Sequence, residues 1–230
     1  KTGKYAGLAL TVSCANAALQ AWGCYPDIKG WDEVFRSVEL CNRLGLDYYD
    51  AGNLIAWAIE LYQKGIIDKN DTGGLELDWG NADVVHDLIQ KIAYREGFGG
   101  ILAQGLVEAP KQIGRNSQDY ISESKGLGIV MDPRVRLSVD AFSHLTNVRG
   151  GHDSAVTVTI IPGRSLAGMR RFAAKMGFPP EDSWDRVLDG PEGYNPARIT
   201  RWFEDNKEIQ ECFGVCQFAP FQIFNLSFWA

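Results

Sequence analysis

The sequence is short of what several common functions require. No apolar run approaches the roughly 20 residues that a membrane-spanning helix needs, and no charged-then-apolar leader with a small-residue cleavage site opens it, so a soluble, unexported protein is expected. Basic charge is scarce: 23 Lys and Arg face 29 Asp and Glu, a net charge of −6. Proteins that grip phosphate backbones usually carry basic stripes, so no nucleic-acid partner is expected. Cysteines are few and odd in number, five in 230 residues. That is too sparse for a disulfide scaffold and points to reduced thiols or metal ligands in a cytoplasmic protein. Histidines number three, which leaves few imidazoles for proton transfer. Internal repeats and low-complexity segments are also missing.

What is present is a chain with 45% hydrophobic residues, enough for one large or two small cores. Helical periodicity dominates, so the expected class is mainly α. Trp31 to Leu44 carries Val34, Phe35, Val38, Cys41 and Leu44 on one face and stops at Gly45. Ala51 to Lys64 predicts a second helix, capped by Asp47 or Asp50 and stopped by Gly65. Asn81 caps a third, Ala82 to Glu96, ending at Gly97, and the following segment to Gly114 predicts a fourth. Arg164 to Met176 and a helix starting at Asn195-Pro196 and running to about Cys212 complete the set, with Ala155 to Ile161 as the best strand candidate. Asp132-Pro-Arg134 and Val148 to Asp153 read as turns. A boundary in the glycine-rich region near Gly150 divides the chain into 1–149 and 150–230. Starting at Lys1 and stopping on the apolar string FQIFNLSFWA, the chain is expected to be a piece of something longer.

Two short stretches echo each other. Asn42-Arg-Leu-Gly45-Leu46-Asp47 and Glu211-Cys-Phe-Gly214-Val215-Cys216 share an acid or amide, two residues, glycine, an aliphatic residue and a ligand-type side chain. Each glycine alone reads as an ordinary helix stop. Together they fit a second reading, in which the backbone approaches a ligand and flanking oxygens accept from a planar group with parallel N–H donors, such as the aminopyrimidine edge of a pterin.

The segments CNRLGLDYYDAGNLIAWAIELYQKGII, LELDWGNADVVHDLIQKIAYREGFGGILAQG, KGLGIVMDPR and EIQECFGVCQF, in this order, resemble the aldehyde ferredoxin oxidoreductase family. The resemblance implies the family's helical C-terminal domains, with the N-terminal pterin-binding domain outside this chain. It also implies tungsten or molybdenum held by two pterins, a [4Fe–4S] cluster, and magnesium bridging the pterin phosphates. By the same resemblance Asn42, Gly45, Leu46 and Asp47 bind one pterin, and Glu211, Gly214 and Val215 the other. Asn42, Glu211 and Val215 depart from the family's Asp, Asp and Leu. Cys216 stands where the family completes its cluster; the usual CxxCxxxC segment for the other three ligands does not occur in this sequence. Cys212 has no counterpart in the pattern. Arg149 and His152 correspond to an Arg-Gly…His element that lines the family's metal pocket, which implies Arg149 complementing pterin phosphate or magnesium-linked oxygens and His152 as a proton donor or acceptor. Lys125-Gly-Leu127 and Asp132-Pro-Arg134 also match family elements.

Cys14 falls where aldehyde-oxidising members carry a Tyr-Glu pair. A thiolate there is a soft ligand for a heavy metal, and the position resembles the tungsten subunit of class II benzoyl-coenzyme A reductases. Buried free thiol remains the plainer reading of Cys14, as it is of Cys41 on the apolar face of its helix. The expected function is reduction of an aromatic acyl-coenzyme A. The alternatives are aldehyde oxidation to a carboxylic acid and a non-catalytic helical scaffold. Expected partners are the N-terminal part of the same protein, ferredoxin or an iron–sulfur subunit, a small-molecule substrate, and further copies in an oligomer.

Overall fold

The computed structural model describes residues 3–9, 18–128, 201, 204, 205, 208, 209 and 212–214. The chain divides into two compact units, Lys1–Gly128 and Ile129–Ala230. The expected boundary at 149/150, the strand candidate at 155–161 and the helix at 164–176 lie outside the described residues.

In the first unit, a π-helical turn, Leu19–Cys24, leads into five helices: α1 (Trp31–Leu44), α2 (Tyr48–Gln63), α3 (Ala82–Tyr94), α4 (Phe98–Leu102) and α5 (Gly105–Ile113). A 3₁₀ turn, Ser117–Tyr120, and a two-stranded hairpin, β1 (Glu123–Ser124) and β2 (Leu127–Gly128), follow. The strands are antiparallel, with Glu123 opposite Gly128 and Ser124 opposite Leu127. Lys125 and Gly126 between them both have positive φ, 55° and 86°. Positive φ at both loop residues is what a two-residue type I′ turn requires.

Helix α1 occupies the predicted span. Val34, Val38 and Cys41 are buried on its inner face, and Gly45 ends it in the left-handed conformation, φ 69°. Helix α2 is the centre of the unit, burying Ala51, Leu54, Ile55, Trp57, Ala58, Ile59 and Leu61. Each such Leu or Ile contributes about 1.5–3 kcal/mol relative to exposure. It begins three residues before the expected Ala51, because the Asp47 carboxylate caps it and brings Tyr48, Tyr49 and Asp50 into the helix. Asn81 caps α3 as expected, accepting from the Val84 N–H.

Two expectations are corrected. Helix α3 ends at Tyr94, with Arg95 rather than Gly97 in the left-handed position, φ 58°. Gly97 is needed elsewhere: at φ 50°, ψ −128° it turns the chain into α4. In α4 a Cβ on Gly99 would sit 2.3 Å from the Lys91 carbonyl carbon, and one on Gly100 2.8 Å from the Arg95 oxygen. These glycines thus let α4 close tightly on the end of α3. The single helix expected from 99 to 114 is two, separated where Gly105 takes φ 84°.

Candidate functional site

The first echoing motif is a tight helix-to-helix corner. Gly45 and Leu46 both donate to the Cys41 carbonyl, Leu46 at 2.9 Å, and so close the end of α1. One residue later Asp47 opens α2: its Oδ1 accepts from the Tyr49 N–H at 2.8 Å and the Asp50 N–H at 3.1 Å. Both cap bonds fall on Oδ1, which leaves Oδ2 of this exposed carboxylate for a further donor. The α1 terminus beside it offers carbonyl oxygens, since the last turn of a helix lacks intrahelical donors. A Cβ added at Gly45 would meet nothing within 4 Å. Glycine is therefore required there for its φ, and the space beside it is open.

This corner is an acceptor surface: a carboxylate oxygen and helix-end carbonyls. It suits a planar edge carrying several N–H donors, which is the chemistry of the pterin edge. Asn42 is also exposed on the last turn of α1, and Leu46 is half-buried against the core. Asn42, Gly45, Leu46 and Asp47 therefore share one corner.

Three contacts hold the corner in place. Tyr49 Oη donates to Gln20 Oε1 of the π-helical turn at 3.3 Å. Gly52, one turn into α2, lies so close to that turn that a Cβ would be 2.4 Å from the Ala21 carbonyl oxygen. From the other side, Gly128 of β2 donates its N–H to Asp50 Oδ1 at 2.9 Å. The π-helical turn, Asp50 and Gly128 are the parts that sequence reading missed. Only the doubled acid, Asp47 and Asp50, hinted at them.

Cys41 is fully buried, and its thiol is pushed up to about 12, first by burial and then by the negative charge of Asp47. It therefore behaves as the small apolar side chain expected. His86 is buried as well. Its Nε2 lies 3.0 Å from Ser37 Oγ and its Nδ1 3.8 Å from Glu33 Oε2. This superficially resembles a nucleophile, base and acid in series. Ser37, however, is fully buried and donates its own proton to the Glu33 carbonyl at 3.0 Å, so no substrate reaches it. Burial lowers the pKa of His86, consistent with a neutral packed imidazole.

In the second unit, Arg201, Glu204, Asp205, Glu208, Ile209 and Cys212 are helical. Cys212 is exposed at the end of this run. Gly214 takes φ 68°, against 69° at Gly45, so the glycines of the two motifs share a left-handed backbone. Cys14, Arg149, His152, Glu211, Val215 and Cys216 lie outside the described residues. Among the described residues no cluster of three His, Cys, Asp or Glu is placed to hold a metal ion. Nor is any described helix long and apolar enough to cross a membrane.

Comparison with known proteins gives the family. Residues 6–228 match the family described as "Aldehyde ferredoxin oxidoreductase, domains 2 & 3", and the chain belongs to that family. It is 34% identical over 132 residues to a tungsten-containing aldehyde ferredoxin oxidoreductase of Pyrococcus furiosus, covering 57% of this chain and 22% of that protein. It is 32% identical over 169 residues to the aliphatic sulfonate oxidoreductase, WOR-like subunit, of the same organism, covering 66% and 26%. A tungsten-containing aldehyde ferredoxin oxidoreductase of Thermococcus kodakarensis is 29% identical over 153 residues, covering 66% and 25%. The chain thus spans about a quarter of the length of these relatives.

Proposed function

We propose that this chain is the helical portion of a tungstopterin oxidoreductase and that the α1–α2 corner grips one pterin. The observation that carries the reading is the Asp47 carboxylate, fixed through Oδ1 as a helix cap and open at Oδ2 beside helix-end carbonyls. Glu211, Gly214 and Val215 hold the second pterin, with Glu211 as its carboxylate acceptor, and Arg149 pairs with pterin phosphate or with magnesium-linked oxygens. Cys216 ligates a [4Fe–4S] cluster whose other thiolates come from an N-terminal part of the same protein. When bound, the pterin-held metal would supply two-electron chemistry and the cluster single-electron transfer, with ferredoxin or an iron–sulfur subunit as the partner, in a reducing cytoplasm.

The reaction favoured by the names of the relatives is oxidation of an aldehyde with water to a carboxylic acid, releasing two electrons and two protons. His152 takes up a proton in that direction. A second reading rests on Cys14 where aldehyde-oxidising members carry the Tyr-Glu pair: reduction of an aromatic acyl-coenzyme A by two electrons and two protons, with His152 donating. In the reductive direction the surrounding protein excludes water, so that electrons are not lost to protons.

The test uses the intact protein purified without oxygen. Tungsten or molybdenum, pterin and iron are quantified, and turnover is assayed with aldehydes plus an acceptor dye and with dienoyl-coenzyme A plus the same dye. Metal, pterin and aldehyde turnover are expected. Thioester turnover that is lost in Cys14→Ser would establish the second reading instead, and absence of both metals and of pterin would leave a non-catalytic scaffold.

A further inference from the structure

The corner is not held by its own two helices alone. Asp50 is engaged at both ends: its backbone N–H donates to Asp47 Oδ1 at 3.1 Å, while its side-chain Oδ1 accepts from the Gly128 N–H at 2.9 Å. The hairpin that offers Gly128 has a defined turn. Its loop takes positive φ at Lys125 and Gly126, and the Gly126 N–H donates to Glu123 Oε2 at 2.7 Å. Gly128 packs so tightly on α2 that a Cβ there would lie 2.1 Å from Asn53 Nδ2 and 3.1 Å from Asp50 Oδ1. Asn53 Nδ2 is buried with no hydrogen-bond partner, so it contributes packing and no polar bond to this seam. The Gly128 N–H to Asp50 Oδ1 bond is a directional link between hairpin and helix.

We propose that Asp50 is a positioning residue for the pterin motif, tying the β1–β2 hairpin to the first turn of α2 so that Asp47 presents Oδ2 in one fixed direction. The inference rests on the reading of Asp47 as a pterin acceptor. A carboxylate on the first turn of a helix whose neighbour is unpinned samples several directions, and each direction lost to the ligand weakens retention. Fixing the turn from outside the motif removes that freedom before the ligand arrives. Gly128 belongs to the same device, because no other residue brings its N–H within reach of Asp50 without a Cβ colliding with Asn53.

The test measures loss of pterin from the intact, cofactor-loaded protein at a temperature well below melting, by fluorescence of the pterin released on acid oxidation. Melting is followed in parallel by circular dichroism. Asp50→Ala is expected to speed pterin loss about tenfold, the effect of one charge-assisted hydrogen bond. Asp50→Asn keeps an acceptor oxygen toward Gly128 and restores retention to within about twofold of wild type. Gly128→Ala speeds the loss as Asp50→Ala does, and Gly128→Ala combined with Asn53→Ala, which empties the colliding space, recovers it. This pair keeps the test decisive where Asp50→Ala fails to fold. A lower melting temperature with unchanged pterin loss in Asp50→Ala and Gly128→Ala makes the link merely structural and overturns the proposal. Asp47→Asn serves as the reference. Fast loss there with slow loss in Asp50→Ala sinks only the positioning role, whereas wild-type retention in Asp47→Asn, or a wild-type protein without pterin, sinks the pterin reading and this proposal with it.

Discussion

The observed cap and the proposed pterin contact of Asp47 can be separated by one substitution. Its Oδ1 caps α2 through the Tyr49 and Asp50 N–H groups at 2.8 and 3.1 Å, and on the proposed reading its Oδ2 accepts from the pterin. Asp47→Ala removes both, so α2 loses its cap at about 1 kcal/mol. Asp47→Asn keeps a carbonyl oxygen for the cap and costs only the charge at the helix N-terminus, about 0.3–1 kcal/mol. In place of Oδ2, though, it presents an NH₂ group to a ligand edge that is itself a donor. The lost charge-assisted bond is worth about 1.5–3 kcal/mol, which is roughly 10- to 100-fold in pterin retention. Urea unfolding by circular dichroism gives the first quantity and pterin fluorescence per chain the second. Asn is expected near wild type in stability and near Ala in pterin content. Wild-type pterin content in Asp47→Asn would refute the reasoning and leave Asp47 as a cap alone.

Further outcomes follow from the same structure. Gly52→Ala gains about 1 kcal/mol of helix propensity but drives a methyl to 2.4 Å from the Ala21 oxygen. Overpacking against a backbone costs about 1–3 kcal/mol, so the urea midpoint should fall; a rise would mean that the π-helical turn does not lie against α2. Cys41, buried with its thiol held up to about 12, should resist iodoacetamide in the native protein, while exposed Cys24 and Cys212 react. Peptide mass spectrometry reads this, and modification of Cys41 at the rate of Cys24 would contradict its burial. Arg115 binds Asp71 through two bonds of 2.7 and 2.8 Å and holds its carboxyl down to about 2. Because the folded pKa lies below the unfolded one, the stabilisation is present above roughly pH 4 and is lost as pH falls toward the folded value. Arg115→Gln should flatten that part of the stability–pH profile, and an unchanged profile would show that the pair contributes nothing.

Local chemistry was legible without the fold where one residue's own hydrogen bonds or conformation decide the outcome. Trp31 to Leu44 carries its apolar stripe, Gly45 ends it by reaching φ 69°, and Asn81 caps α3 through its own side chain. The echo between the two motifs was legible for the same reason, since glycine at 45 and 214 signals a left-handed backbone and both have one. Only the tertiary structure decided which glycine does what elsewhere. Gly97 looked like the stop of α3, but α4 packs so closely on the backbone at Lys91 and Arg95 that Gly97, Gly99 and Gly100 are all consumed in the turn, and Arg95 takes the left-handed position. Gly52 reads as a weak point in a helix until the Ala21 carbonyl is found where its side chain would be. Asp50 reads as a spare cap until Gly128, 78 residues later, donates to it. Periodicity and capping act over one helical turn and are written in adjacent residues. Close approach and a hydrogen bond across the chain depend on where distant segments meet, and that is set by packing the whole unit at once.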